Sequence, residues 1–291
     1  MHRIIISIVI YIMAGYLQIF ASNGAQFDNI NQQLKQLLIT NKIPEIKYRL
    51  INTHPHHSKR FTQGILMVNQ SFYESTGLYQ QSKIIQLELV SGKILKTKKL
   101  PSSQFGEGLT ALGQNIYQIT YREEIGYIYQ MDTLQQLGYF NIKGEGWGLT
   151  NDGIHLILSN GSSTLTYLSP KDFKAHKHLS VCIGGESLIG INELQYINGK
   201  IFANILPTSI ITIISPKSGQ VEGWVDLAAL KPSKETCDPV QCVANGIAFN
   251  QMNQHVLVTG KFWPHIYELT LIKPTARDIM PLHFKTIKFS I

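Results

Sequence analysis

Five positions carry side chains able to do chemistry, each in a similar local setting. They are Gln63 in Phe61-Thr62-Gln63-Gly64, Glu107 in Phe105-Gly106-Glu107-Gly108-Leu109-Thr110, Trp147 in Gly144-Glu145-Gly146-Trp147-Gly148-Leu149-Thr150, Asn192 in Asn192-Glu193-Leu194, and Asn245 in Asn245-Gly246-Ile247. Turn residues needed for packing alone would have no reason to change polar chemistry from copy to copy; a site assembled from all the copies would. Glu107 is the acid of the series and has glycine on both sides. A metal-dependent hydrolase or lyase would need inward Asp, Glu or His ligands from several copies. This series supplies Gln, Glu, Trp and Asn instead, so no catalytic metal is expected.

The elements that must position these groups are legible from the same repeat. Each signature is followed about 20 residues later by an alternating segment running into a turn, as in Ile84-Ile85-Gln86-Leu87-Glu88-Leu89 before Ser91-Gly92 and Leu165-Thr166-Tyr167-Leu168 before Ser169-Pro170. Both series keep step at about 40 to 54 residues, the spacing of four-stranded propeller blades. Five periods predict an all-β chain folded as a five-bladed β-propeller over 46–291, in which each innermost strand lines a central channel and the five groups converge. The strand Ile46–Thr53 is expected to complete the blade built by the C-terminal strands, removing an open edge.

The N-terminus reads as a targeting segment. Arg3 precedes the apolar run Ile4–Ala14, and small residues at 21–25 offer a cleavage site, so residues 1–25 are expected to be a signal peptide and the protein to be exported. An uncleaved anchor is the alternative, since the apolar run extends toward Phe20. Residues 26–45 follow as a helical extension, with Ile30, Leu34, Leu37 and Leu38 at helical spacing. Export makes a local Cys237–Cys242 disulfide the expectation for a chain with three cysteines. Cys182, in an apolar strand context, reads as a small buried hydrophobe. The net charge of +7 is spread over strands and loops with no run longer than Lys98-Lys99, a solvated surface rather than a nucleic-acid footprint. Of the ten histidines, His54, His56 and His57 cluster without a metal pattern beside them.

The chain resembles the glutamine cyclotransferase family, the plant and bacterial type of glutaminyl-peptide cyclotransferase, which is unrelated to the zinc-dependent animal enzymes. The resemblance is carried by the signatures above together with Glu74-Ser75-Thr76-Gly77-Leu78-Tyr79, Asn192-Glu193-Leu194-Gln195-Tyr196-Ile197-Asn198-Gly199, Gly223-Trp224-Val225-Asp226-Leu227 and Val258-Thr259-Gly260-Lys261-Phe262-Trp263-Pro264. It implies a zinc-independent reaction in which the α-amine of an N-terminal glutamine attacks its own carboxamide, giving pyroglutamate and ammonia. It also implies Glu107 as the acid/base, with substrate held by Phe61, Gln63, Trp147, Asn192 and Lys261. No cofactor is required, with a structural calcium ion in the channel left open as an alternative. The implied partners are peptides or proteins with an N-terminal glutamine, with no nucleic acid, no membrane association of the mature form, and a monomer.

Two positions depart from the family's pattern. Tyr121 stands where relatives tend to have tryptophan, and Leu206 ends an Ala203-Asn204-Ile205-Leu206 segment where they tend to read Ala-Asn-x-Trp. Loss of an aromatic wall at Leu206 removes a stacking surface. The rival reading is a secreted, non-catalytic propeller binding a peptide or glycan at its channel mouth, which would need the aromatic and polar lining but no particular carboxylate.

Overall fold

The structure is a computed structural model describing residues 23–233, 235–238 and 240–272 of the 291-residue chain. The signal peptide expected over 1–25 lies outside the described residues up to residue 22, as does the propeller's expected extension beyond residue 272.

After helix α1 (Asn23–Thr40) and strand β1 (Lys47–Pro55), the chain forms four-stranded antiparallel sheets in sequence order. Blade one is β2 (Thr62–Val68), β3 (Ser71–Thr76), β4 (Lys83–Leu87) and β5 (Ile94–Lys99); blade two is β6 (Gly106–Leu112), β7 (Asn115–Thr120), β8 (Ile125–Gln130) and β9 (Gln136–Asn141). Blade three is β10 (Leu149–Asn151), β11 (Leu156–Leu158), β12 (Thr164–Leu168) and β13 (Ala175–Ser180). A small hairpin, β14 (Cys182–Ile183) with β15 (Glu186–Ser187), leads to blade four, β16 (Ile191–Ile197), β17 (Lys200–Ile205), β18 (Ile210–Ile214) and β19 (Val221–Asp226). Blade five takes β20 (Ala244–Asn250), β21 (His255–Gly260) and β22 (His265–Ile272) from the end of the chain and its outer strand, β1, from the beginning. This five-bladed ring closes through the antiparallel register Lys47↔Ile272 to Pro55↔His265, so β22 is not left as a bare edge and β1 takes the outer place in the blade.

Burial grades outward along each blade. β2 and β6 are buried over most of their length, whereas the outer strand β5, Ile94-Leu95-Lys96-Thr97-Lys98-Lys99, is exposed throughout. The lysines there shield an unpaired edge, which accounts for part of the positive charge.

Glycine is required where inner strands meet at the axis. A Cβ on Gly108 would stand 2.4 Å from the Leu149 nitrogen, and one on Gly148 would stand 2.0 Å from the Asn192 carbonyl oxygen, separations no side chain tolerates.

Helix α1 lies outside the ring against blade four. Leu34 and Leu38 join a core with Ile183, Leu188 and Trp224, Lys35 pairs with Asp226 at 2.5 Å, and Asn31 Oδ1 accepts the Ser209 N–H at 3.1 Å. Two carboxylate clusters brace the closure of the ring. The fully buried Glu74 accepts from His56 Nε2, Arg60 Nη1 and Thr62 Oγ1, each at 2.9 Å. Glu268 on β22 accepts from Asn52 and His54 on β1 and from Asn253 and His255 at 2.7–3.0 Å. His54 and His56, without a pattern to assign them in the sequence, thus take structural roles.

Candidate active site

The site is built where each blade's first strand begins and its second strand ends. In four blades the pairing between these two strands slips at that point: between Thr62 and Gly64, Gly106 and Leu109, Ile191 and Leu194, and Ala244 and Ile247. A bulge leaves residues out of the ladder and re-aims their side chains, and the residues inside these slips include Gln63, Glu107, Asn192 and Asn245. All four are fully buried. In blade three the inner strand is short, and Trp147 lies just before it, its N–H donated to the Ser159 carbonyl at 3.0 Å.

Three of these groups form a chain. Asn245 Nδ2 donates to Gln63 Oε1 at 3.0 Å, and Gln63 Nε2 donates to Glu107 Oε1 at 2.8 Å. Glu107 Oε2 has no hydrogen-bond partner, nor do Asn245 Oδ1 and both amide atoms of Asn192, although all are buried. Buried polar atoms without partners are costly, so this cluster is set to receive a ligand carrying both donors and acceptors. Asn192 is held by its backbone instead, its carbonyl accepting from Ser159 Oγ at 2.6 Å.

A second series comes from the residues that follow each second strand. Gly77, Tyr121, Leu206 and Lys261 donate their N–H groups to the carbonyls of Phe61, Phe105, Gly190 and Val243, at 2.8, 2.9, 2.8 and 3.0 Å. Each acceptor immediately precedes its blade's first strand. This series supplies the wall: Phe105, Tyr121, Trp147, Leu206 and Val243 form one apolar cluster with Phe61 and Leu78 against it. Phe61 meets Phe105 edge-on at 6.0 Å and Phe105 meets Tyr121 at 5.9 Å. The Tyr121 hydroxyl is buried, and the Arg122 guanidinium lies over the Tyr121 ring at 4.6 Å. Trp147 Nε1 donates to Glu145 at 3.1 Å, and its ring rests where a Cβ on Gly161 would collide at 2.5 Å.

The charged groups within this setting are strongly perturbed. Lys261 is 2% exposed and places Nζ 4.6 Å over the Phe61 ring. Burial drives its pKa down from 10.5 to about 8, against the pull of the Glu107 carboxylate. Burial also pushes Glu107 well above the usual carboxylate range; Lys261 opposes that shift, and the nearby Glu123 and Glu145 add to it. A carboxyl and an amine are thereby moved toward each other in proton affinity, the condition under which one site both accepts and returns a proton near neutral pH. Lys261 sits in a held turn. Its neighbour Phe262 has φ +60°, costly for a non-glycine residue, and is fixed by donating its N–H to the Arg60 carbonyl at 2.8 Å.

Every residue expected from the sequence to bind or act on substrate, Phe61, Gln63, Glu107, Trp147, Asn192 and Lys261, therefore belongs to the inner bulges or to this wall. Cys237 and Cys242 are bonded to each other, their Cα atoms 5.9 Å apart, and the Cys242 carbonyl accepts from Trp263 Nε1 at 3.2 Å beside the Lys261 turn. Cys182 departs from expectation. It is a free thiol but half-buried, because it falls on the small hairpin between blades rather than inside one, where Gln220 Nε2 reaches its sulfur at 3.0 Å.

A further buried carboxyl lies beside Asn192 with no motif of its own to mark it. Glu193 shares the bulge of Asn192 and accepts the Ile247 N–H at 2.9 Å, and burial raises its pKa well above the usual range against bonds from the Ile65 and Ile247 backbones. Its signal was its place beside Asn192 in the same repeat copy.

A family model described as glutamine cyclotransferase matches residues 21–271. A glutaminyl-peptide cyclotransferase of Arabidopsis thaliana is 35% identical over 247 residues, covering 82% of this chain and 75% of the relative. The crystal structure of Myxococcus xanthus glutaminyl cyclase superposes with a TM-score of 0.71 at 31% identity, over 78% of this chain and 97% of the other.

Proposed function

Because the chain belongs to the glutamine cyclotransferase family, we propose that it is a glutaminyl-peptide cyclotransferase whose bulge cluster folds an N-terminal glutamine onto itself. The observation that carries this reading is Glu107: a buried carboxyl with one oxygen held by Gln63 and the other unpartnered, its proton affinity raised by burial, inside an aromatic wall. Ring closure is intramolecular, so the main requirement is to hold amine and carboxamide in an attack geometry. Trp147 and Phe61 supply flat surfaces for the substrate's glutamyl side chain. The unpartnered amide of Asn192 supplies a donor and an acceptor for its carboxamide. Glu107 takes a proton from the attacking α-amine and returns it to the departing nitrogen. With its proton bound, Lys261 offsets the negative charge of Glu107 and of the tetrahedral oxygen.

The reading extends to where the enzyme works. The leader-like segment that begins with Arg3 and the Cys237–Cys242 bond both support export, with peptides or proteins outside the cytoplasm as substrates.

The test is ammonia release from a Gln-initiated dipeptide by purified wild type and Glu107→Gln. The variant keeps an acceptor for Gln63 and places its new amide where Oε2 had no partner, so the fold is expected to survive. Turnover is expected to fall by a factor on the order of 10² to 10⁴, the usual contribution of a positioned acid/base. Turnover within a few-fold of wild type would remove Glu107 from the mechanism, and no turnover by the wild type would favour the binding-module reading.

A further inference from the structure

The boundary expected for the leader, after Ala25, would leave glutamine as the first residue of the mature chain: Gln26. The inference that follows rests on the cyclotransferase reading above and on cleavage at that boundary.

Gln26 is half-buried in the first part of α1. The first buried side chain described on the helix is the next one, Phe27, and the clamps on blade four follow at Asn31, Leu34, Lys35 and Leu38. Removal of the preceding segment thus leaves the described packing of the helix in place while exposing a new α-amine. That amine would be an ammonium at the start of a helix, where the backbone dipole is already positive and a cation is disfavoured. Conversion to a neutral lactam removes this charge without touching Phe27 or any clamp.

We propose that Gln26 is itself a substrate of this chain's active site and is converted to an N-terminal pyroglutamyl residue. The balance is that of the parent reaction. The α-nitrogen of Gln26 bonds to its own Cδ, the Cδ–Nε2 bond breaks, one amine proton passes through the Glu107 carboxyl to the leaving nitrogen, and ammonia departs with no other reactant. The modified helix is the one that braces the pocket wall, since Asn31 holds Ser209, three residues beyond Leu206.

The experiment exports the full chain with its leader, as wild type and as Glu107→Gln, and compares the N-terminal peptides by mass. The expected result is a wild-type terminus at residue 26 lighter by one ammonia and blocked to Edman degradation, with an unmodified Gln26 in the variant. A synthetic peptide of residues 26–35 incubated with purified wild type should lose one ammonia as well, which keeps the test independent of the variant's folding. A terminus at another residue, an unmodified Gln26 in active wild type, equal blocking in both proteins, or an inert peptide would each overturn the inference. Ammonia release from a Gln-initiated dipeptide by the same preparations separates the cases: activity there with Gln26 unmodified sinks this inference alone, whereas inactivity sinks the cyclotransferase reading beneath it.

Discussion

Lys261→Met separates an electrostatic role for this lysine from a packing role. Met keeps a flexible side chain against the Phe61 ring and removes the charge. Among the groups that shift Glu107, Lys261 is the one that pulls its pKa down, because an opposite charge close by favours the ionised carboxyl. The variant's Glu107 therefore holds its proton to higher pH, its proton-accepting form is scarcer at neutrality, and kcat there should fall. The sign of the pH dependence follows from Lys261 itself. Its charge is present below about pH 8 and lost above it, so the wild-type advantage should be largest on the acid side and fade as pH rises through about 8. Stability moves the other way. The fall from 10.5 to about 8 corresponds to about 3 kcal/mol of disfavour for the buried cation at neutral pH, stability that wild type regains between about pH 8 and 10.5 and that the variant has throughout. Chemical denaturation and the pH profile of kcat on a Gln-initiated dipeptide check both halves. An activity ratio that stays constant across pH, or a variant less stable than wild type at neutral pH, would refute the charge argument.

Leu206→Trp restores an aromatic surface to the wall and should lower KM for small Gln-initiated peptides by about 2- to 10-fold, the value of an aromatic contact, with kcat little changed; a raised KM would mean that the wall has no room for the ring. Glu268 is held at about 2, since bonds from Asn52, His255, His54 and Asn253 outweigh the effect of burial. The stability it contributes is complete above the ordinary carboxylate value of 4.5 and is lost as pH falls from there to about 2, so Glu268→Gln should flatten the acid side of a urea-unfolding series. In native protein, an alkylating agent should label the half-buried Cys182 and should label Cys237 and Cys242 after reduction, as read by peptide mapping.

What was legible in the sequence is what repeats within one strand. The glycine-flanked polar positions recur because each blade begins with the same crowded inner strand, and the alternating segments recur because each blade's third strand is buried within its sheet. Even the ring closure was legible, since a strand at 46–53 without a local partner has to pair elsewhere. The bulges were not, because a slip such as Gly106/Leu109 is a property of pairing between two strands. The wall series was harder still. Gly77, Tyr121, Leu206 and Lys261 share one backbone hydrogen bond and no side-chain chemistry, so only their distance from the preceding signature marks them as equivalent. The place of Cys182 is not legible either, because its apolar neighbours belong to a connecting hairpin, which local composition does not distinguish from a blade.

Two fully buried carboxyls, Glu107 and Glu193, come from the same structural device, and their partners suit them to different work. Glu193 Oε2 accepts a backbone amide from Ile247 while its Oε1 has no hydrogen-bond partner, so its bound oxygen is tied to how blade four meets blade five. Glu107 Oε1 accepts from the side chain of Gln63, which is itself steered by Asn245, and side chains readjust at less cost than strands. Its backbone is anchored separately, through the bond from Ser75 Oγ to the Glu107 carbonyl. Glu107 also has a buried cation whose own proton affinity is lowered to meet it, whereas the groups that perturb Glu193 are burial and backbone amides. A proton carrier has to change charge in every turnover without disturbing the scaffold that aims it. On the proposed reading Glu107 fits that requirement: a bulge aims the carboxyl, a side chain rather than a strand satisfies it, and the buried Lys261 offsets its charge.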